Sequence, residues 1–428
     1  MIAYSFFRTL TERNLTMSQP IKTDPATSHQ PDPYRRDYFQ RIQAAHQAAV
    51  RCSRCVFDAE TPAIKFDNQG VCNYCRTTEQ LEKDYPTGRQ GKLILEKTID
   101  EIRRCGKGKP FDVVIGVSGG CDSSWMLVKA KEYGLRPLAV HFDNTWNTTT
   151  ATTNIHTMLD KLGIELFTHV VDNEEYNDIL RAFLKAGVID IETPTDVGLA
   201  TTLYMACAKH GIRFQMEGHS FRTEGVAPLG WFYIDGKYVQ SVVKEYGNYS
   251  QHRLKTFPNL WFTRFMKYTL FNRIRKIRPL YWMDYDKEAA KKTLASEYGW
   301  EWYGGHHLEN RFTIFLHSYY APRRFGLDTR TLGNSALVRS GQMNRQQALL
   351  ELQKPFHFDP EILDIVKKRL RFSDTEFEHL FTEPTRNWRS FKTYKPLFER
   401  LRPMFYTLMK ASLVPKSFYI KYTSKSDI

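Results

Sequence analysis

Phe111-Asp112-Val113-Val114-Ile115-Gly116-Val117-Ser118-Gly119-Gly120-Cys121-Asp122-Ser123-Ser124-Trp125 decides the fold. Its first half is a short β-branched apolar run, the composition of a strand buried inside a parallel sheet. Its second half removes two side chains, at Gly119 and Gly120, so that backbone N–H groups can approach a bound anion. Ser118, Ser123 and Ser124 add hydroxyl donors, and a helix expected from about Ser123 to Tyr133 aims its positive end at the same point. Asp122 stands where it could hold Mg2+ against phosphate oxygens. The Walker-type pattern GxxxxGK[ST] is absent.

Working outward, the pattern repeats. Pro137–Phe142 reads as a second strand, Thr153–Leu162 as a helix and Glu165–Val171 as a third strand. Two helices, Ile179–Ala186 and Gly198–His210, lead to a fourth strand, Arg213–Met216. Strands alternating with helices predict an α/β, doubly wound parallel sheet, with ligands at the carboxyl ends of its strands. Beyond about residue 280 the pattern turns helical, over Lys287–Tyr298, Leu308–Tyr320, Ser340–Gln353 and Pro360–Leu370. The expected domains are a flexible arm over 1–45, a cysteine module over 46–90 and the nucleotide domain over 91–245. A helical substrate or partner region over 246–355 and a basic aromatic extension over 356–428 complete the chain.

The cysteine module is Cys52-x2-Cys55, sixteen residues, then Cys72-x2-Cys75. Each C-x2-C pair can present two thiolates to one tetrahedral ion. The total of seven cysteines is odd and four of them fall within 24 residues, which argues against a secreted disulfide framework. Structural Zn2+ is expected on the four sulfurs, with an iron–sulfur cluster as the alternative on the same ligands.

The chain has 428 residues, 42% hydrophobic and 25% charged, which excludes collagen-like and extended disordered classes. No run approaches the roughly 20 apolar residues of a membrane-spanning helix, and no secretory signal is legible, so a cytoplasmic protein is expected. Net charge is +14, and its source is local. Residues 250–278 carry eight basic residues and no acidic one, and 385–428 carry ten against two. Together these segments hold +16, leaving −2 for the rest. Residues 260–278 read as a basic amphipathic helix, which either packs on the protein's own core with its charges solvated, the default, or binds an acidic partner, or lies on an anionic surface at the inner face of the membrane.

The loop resembles the SGGxDS signature of the PP-loop ATP pyrophosphatases, which transfer AMP to a carbonyl or amide oxygen and release pyrophosphate. The resemblance implies that Ser118, Gly119, Gly120, Asp122, Ser123 and Ser124 hold the pyrophosphate, and that the segment around His141 and Asp143 takes the adenine. A cysteine module before such a loop, the segment Asp143-Asn144-Thr145-Trp146-Asn147, and Tyr303-Gly304-Gly305-His306-His307-Leu308-Glu309-Asn310-Arg311-Phe312-Thr313 are together similar to the N-acetyl sugar amidotransferase family of bacterial surface-polysaccharide biosynthesis. That resemblance covers roughly 50–355. It implies ATP-dependent conversion of an acetamido group on a nucleotide-linked sugar to an acetamidino group, in O-antigen or lipopolysaccharide synthesis. It also implies ammonia from a separate glutaminase with a cyclase-like companion, because no glutaminase cysteine is legible here.

On this reading Asp122, Glu217 and His307 are the catalytic candidates, with ATP and Mg2+ required. Trp146, Asn147, His306, Glu309, Asn310 and Arg311 are the substrate-binding candidates. For Glu217 a capping or salt-bridging role is the equal alternative. Gly304 and Gly305 are expected to open a helix on which His307 and Arg311 lie one turn apart on one face, as do His306 and Asn310, a pairing that could grip the substrate's diphosphate. Asp328, Arg330, Arg339, Ser340 and Arg345 match further family positions without an assigned role. The rival is a tRNA-modifying PP-loop enzyme, favoured by the basic–aromatic segments. Nucleic acid is not expected as the partner, because thiolation needs cysteines beyond the loop.

Overall fold

Val113, Ile115 and Val117 turn into one apolar layer while Val114 turns into another, and Ala139 opposes Leu138 and Val140 in the same way. This period of two, with both faces apolar, is what a strand buried in the middle of a sheet requires. The computed structural model describes residues 33–228, 230–248, 254–305, 308–355 and 358–424.

The chain enters through α1 (Pro33–Ala48), the cysteine module, α2 (Asn73–Asp84) and α3 (Gly88–Gly106). It then runs β1 (Val113–Gly116), α4 (Cys121–Glu132), β2 (Pro137–Asp143), α5 (Thr149–Leu162), β3 (Glu165–Val170), α6 (Asn173–Ala186), α7 (Thr193–His210) and β4 (Phe214–Met216). After α8 (Gly236–Tyr246) and α9 (Phe262–Met266) comes β5 (Arg275–Ile277), then α10 (Lys287–Tyr298). The helical end is α11 (Arg311–Phe315), α12 (Ala321–Phe325), α13 (Arg330–Arg339), α14 (Arg345–Gln353), α15 (Glu361–Leu370), α16 (Asp374–His379), α17 (Lys395–Arg400), α18 (Arg402–Lys410) and α19 (Lys416–Thr423).

The five strands are all parallel, in the order β3-β2-β1-β4-β5. The chain winds outward from β1 in both directions, so its switch point lies between β1 and β4, where a crevice opens at the carboxyl edge. One face packs α3, α4, α5 and α10, and the other packs α7 together with α17 to α19. The expected doubly wound parallel sheet is therefore present, with one strand more than the sequence suggested.

That strand, β5, lies inside the segment expected to be one basic helix over 260–278. The segment instead forms α9, a π-helical turn Lys267–Phe271, and then β5. Its apolar positions follow a helical period only as far as Phe271, and Ile274 and Ile277 then pack on opposite faces of the sheet. The 308–320 helix starts three residues late, at Arg311, because Asn310 caps it by accepting from the N–H groups of Phe312 and Thr313. The helix expected over 340–353 starts at Arg345 behind the cap Asn344. The arm expected over 1–45 lies outside the described residues up to 32, and 33–45 are helical in α1.

Candidate functional site

The loop between β1 and α4 sits at the carboxyl edge, beside the crevice. Gly119 has φ +81°, and a Cβ there would meet the Ala151 carbonyl oxygen at 2.1 Å, so the position requires glycine. Gly119's own carbonyl accepts from Trp300 Nε1 at 2.9 Å and from Asn154 Nδ2 at 3.3 Å. Ser123 Oγ donates to the Gly120 carbonyl at 3.1 Å, and Gly120 N–H donates to Ser118 Oγ at 3.3 Å. The predicted loop residues are thus gathered around the start of α4, with Ser124 buried in its first turn. Such an array suits a polyphosphate.

Asp122 does not stand open to solvent. Lys287 Nζ lies 2.7 Å from its Oδ2, and the Tyr285 hydroxyl donates to its Oδ1. Burial works against the charge on Lys287, but Asp122 and Glu224 outweigh it and keep the ammonium protonated. Lys287 therefore supplies at Asp122 the positive charge expected from Mg2+. Glu224 lies close enough for its charge to act on both Asp122 and Lys287. Glu224 also accepts from His219. Cys121, within the loop, is buried with its sulfur 3.7 Å from the Tyr285 hydroxyl, and burial pushes its thiol up to about 11.

Glu217 follows β4 at the carboxyl edge, and the structure gives it the salt-bridging role. Its carboxylate is spanned by Lys276 and by Arg278 Nε at 3.2 Å. Burial opposes the charge, yet these two cations prevail and hold the carboxyl at about 2. A carboxylate held ionised by two cations is a weak general base near neutral pH, and these ion pairs are the salt-bridging arrangement that the sequence offered as the equal alternative. The next residue, Gly218, lies flat on the start of α4, where a Cβ would fall 2.7 Å from the Asp122 backbone.

At the end of β2, His141 Nδ1 donates to the Val117 carbonyl at 3.0 Å, and burial lowers its pKa, keeping the ring neutral. Asp143 Oδ1 accepts from Thr145 N–H at 2.8 Å. Trp146, expected to touch substrate, is 0% exposed. Its Nε1 donates to Asn177 Oδ1 at 3.1 Å, its ring meets Phe312, and Arg369 stacks 4.0 Å from its centre. The indole anchors the turn and has no surface to offer a ligand.

That turn is bolted to the start of α11. Arg311 N–H donates to the Trp146 carbonyl at 2.8 Å, Thr148 N–H to the Glu309 carbonyl at 2.9 Å, and Asn310 bridges Asn147. The Arg311 guanidinium donates to the Asn147 carbonyl. Glu309 reaches back to the loop: a Cβ on Gly120 would lie 3.3 Å from both Glu309 Oε1 and the Tyr303 hydroxyl, which takes up the Cys121 N–H. Loop, turn and helical region therefore meet in one place. His306 and His307 lie outside the described residues. Arg311 opens its helix behind the cap Asn310, and the expected spacing to the two histidines lies outside the described residues.

The four cysteines form a second centre. Their sulfurs are all buried and lie within 4.8 Å of one another. The Cys52–Cys75 and Cys55–Cys72 separations are 3.8 Å, and a tetrahedron with metal–sulfur bonds of about 2.3 Å has edges of about 3.8 Å. Three backbone N–H groups, of Arg54, Cys55 and Cys72, donate to Cys52 Sγ. Arg339 donates from Nε to Cys75 Sγ at 3.3 Å and from its terminal nitrogen to Cys55 Sγ at 3.2 Å. Arg345 ties down the carbonyls of Cys52 and Cys55. The donor set fits one tetrahedral ion, and the sequence left both arginines without a role. Tyr285, Lys287, Trp300, Asn154 and Glu224 were missed as well, since each reaches the loop from a distant element and carries no local motif, and Tyr303 was read only as the start of a family segment.

No curated protein matches the chain. Among solved structures it is similar to NMN synthetase from Francisella tularensis, at 13% identity and TM-score 0.29, over 63% of this chain and 98% of that one. It is also similar to an NH3-dependent NAD synthetase from Campylobacter jejuni subsp. jejuni NCTC 11168 in complex with the nitrate ion. That match is at 14% identity and TM-score 0.29, over 69% and 98% of the two chains. Likeness at this level bears on neither substrate nor reaction. Residues 309–404 match the family described as LPS biosynthesis protein WbpG-like, C-terminal domain. The match opens at Glu309, the residue that reaches the loop. Behind a parallel sheet bearing an SGGxDS loop, residues 309–404 of this chain are thus similar to the C-terminal domain of the WbpG-like LPS biosynthesis family.

Proposed function

We propose that the protein is an ATP-dependent, AMP-forming amidotransferase that converts an acetamido group of a nucleotide-linked N-acetyl sugar to an acetamidino group during lipopolysaccharide or O-antigen synthesis. The observation that carries this reading is the junction of Glu309, Asn310 and Arg311 with the Ser118–Ser124 loop and the Asn144–Asn147 turn. It brings the WbpG-like segment into the wall of the nucleotide site.

An amide oxygen is a poor leaving group, and AMP is a good one. The acetamido oxygen attacks the α-phosphorus of ATP, the bond to the β-phosphate breaks, and pyrophosphate departs as the amide nitrogen loses its proton. Ammonia then adds to the imidate carbon, and the carbon–oxygen bond breaks to release AMP and the amidine. Loop N–H groups and Ser118, Ser123 and Ser124 receive the charge that builds on pyrophosphate, with Lys287 beside Asp122. Bound Mg2+ would add charge neutralisation at the same phosphates. Neutral His141 and Asp143 line the end of β2, where the adenine is placed. Asn147, Glu309 and Arg311 face the sugar side.

Ammonia comes from a separate glutaminase with a cyclase-like companion, and free ammonium replaces it in vitro. The protein works in the cytoplasm, with Zn2+ on Cys52, Cys55, Cys72 and Cys75. Among the described residues no helix is long and apolar enough to cross a membrane. Thiolation of tRNA is disfavoured by the burial of Cys121 and Cys207, which raises both thiols. The test follows AMP and pyrophosphate release with ATP, Mg2+ and ammonium, adding nucleotide N-acetyl sugars or bulk tRNA. Release with the sugars alone, and a product in which NH replaces oxygen, supports the reading. Release with tRNA alone overturns it.

A further inference from the structure

The two basic segments meet on one part of the surface. Phe265 of α9 stacks on Phe418 of α19 with ring centres 5.3 Å apart, and Phe262 lies 5.9 Å from Phe398 of α17. Both segments feed one apolar cluster with Phe405, Leu408 and Val414. That packing uses most of their aromatic residues but leaves Phe271, at the end of the π-helical turn, 83% exposed beside Leu270 at 38%. Arg264, Lys267 and Arg273 are exposed around this tip, and no acidic residue occurs from 250 to 278. On the tail, Tyr406 and Ile420 are exposed at 46% and 39%, with Arg402 and Lys410 exposed nearby.

We infer that this face docks on an anionic lipid bilayer, with Phe271 and Leu270 entering the headgroup–acyl boundary and Arg264, Lys267, Arg273, Arg402 and Lys410 pairing with acidic headgroups. Charge complementarity selects the occupant. Arg264, Lys267 and Arg273 surround the tip and no acidic residue occurs between 250 and 278, so an acidic surface attracts this tip. A solvated phenyl within a basic collar is the composition of an interfacial anchor. It is a poor platform for nucleobases, because the exposed tyrosine, Tyr406, already packs against Tyr419 at 5.8 Å. The inference goes beyond the amidotransferase reading and stands or falls apart from it.

The test is flotation of the full chain at physiological salt with vesicles of phosphatidylcholine alone, or of phosphatidylcholine with about a third phosphatidylglycerol. The chain floats with the acidic vesicles only, and raised salt releases it. Lys267→Glu and Arg264→Glu each weaken binding about fivefold or more, and Phe271→Ser weakens it about tenfold. All three sites are exposed, and unchanged melting temperatures confirm intact folding. Absence of flotation, equal flotation on neutral vesicles, or loss of tRNA binding rather than vesicle binding in Lys267→Glu would each overturn the inference.

Discussion

Asn310 serves two elements at once. Its Oδ1 accepts from the N–H groups of Phe312 and Thr313, which caps α11, while its Nδ2 donates to Asn147 Oδ1 and Asn144 Oδ1, each at 3.4 Å. One side chain thus starts α11 and holds the turn that leaves β2.

Replacing it separates the two roles. Asn310→Ala removes the cap and lowers unfolding free energy by about 1 kcal/mol. Asn310→Asp keeps the cap but turns an acceptor toward two other acceptors. It should therefore lose about 1–3 kcal/mol of stability at the turn alone, while AMP release falls at least about tenfold, a loss of roughly 1.4 kcal/mol in transition-state stabilisation. Denaturant unfolding and AMP release, measured on both variants, check this.

Trp146 should behave as a packing residue. Trp146→Phe leaves Asn177 Oδ1 without its indole donor and costs about 1–3 kcal/mol of stability. KM for the sugar should stay unchanged, and thermal melting beside a substrate titration distinguishes this from a binding role.

How much of this was legible follows from where each signal lies. The loop was readable because strand, glycines, serines and helix start lie within fifteen consecutive residues, Phe111 to Trp125. The cysteine module was readable for the same reason. β5 was hidden because three residues, Arg275 to Ile277, are too few to show a period, and their basic neighbours resemble a helix. Lys287, Tyr285 and Glu224 approach Asp122 only through the fold. The pairing of Glu217 with Lys276 and Arg278 depends on β4 lying beside β5, a neighbour relation that no local pattern encodes.

Glu217 sets a pH window. Its carboxyl falls from an ordinary 4.5 to about 2 in the folded protein, so it contributes stability above the unfolded value, and that contribution fades as pH falls through about 2. Glu217→Gln should destabilise the protein at neutral pH and remove part of the acid-induced loss, while the activity profile between pH 6 and 9, a span of roughly three units around neutrality, keeps its shape. Unfolding as a function of pH on both proteins measures it.

Arg339 should tune the metal. Its two donors lower the electron density on Cys55 and Cys75 and offset the charge of four thiolates. Arg339→Met should weaken zinc binding about 10–100-fold, read by competition with a chromophoric chelator. Arg330→Met, at the far end of α13, should leave it unchanged.

The most direct test of adenylation labels the acetamido oxygen of the nucleotide sugar with heavy oxygen and asks where the label goes. If the amide oxygen attacks the α-phosphorus, the label leaves the sugar and appears in the phosphate of AMP, one atom for each amidine formed. Label that remains in the sugar, or that appears in water while AMP stays light, would contradict the mechanism.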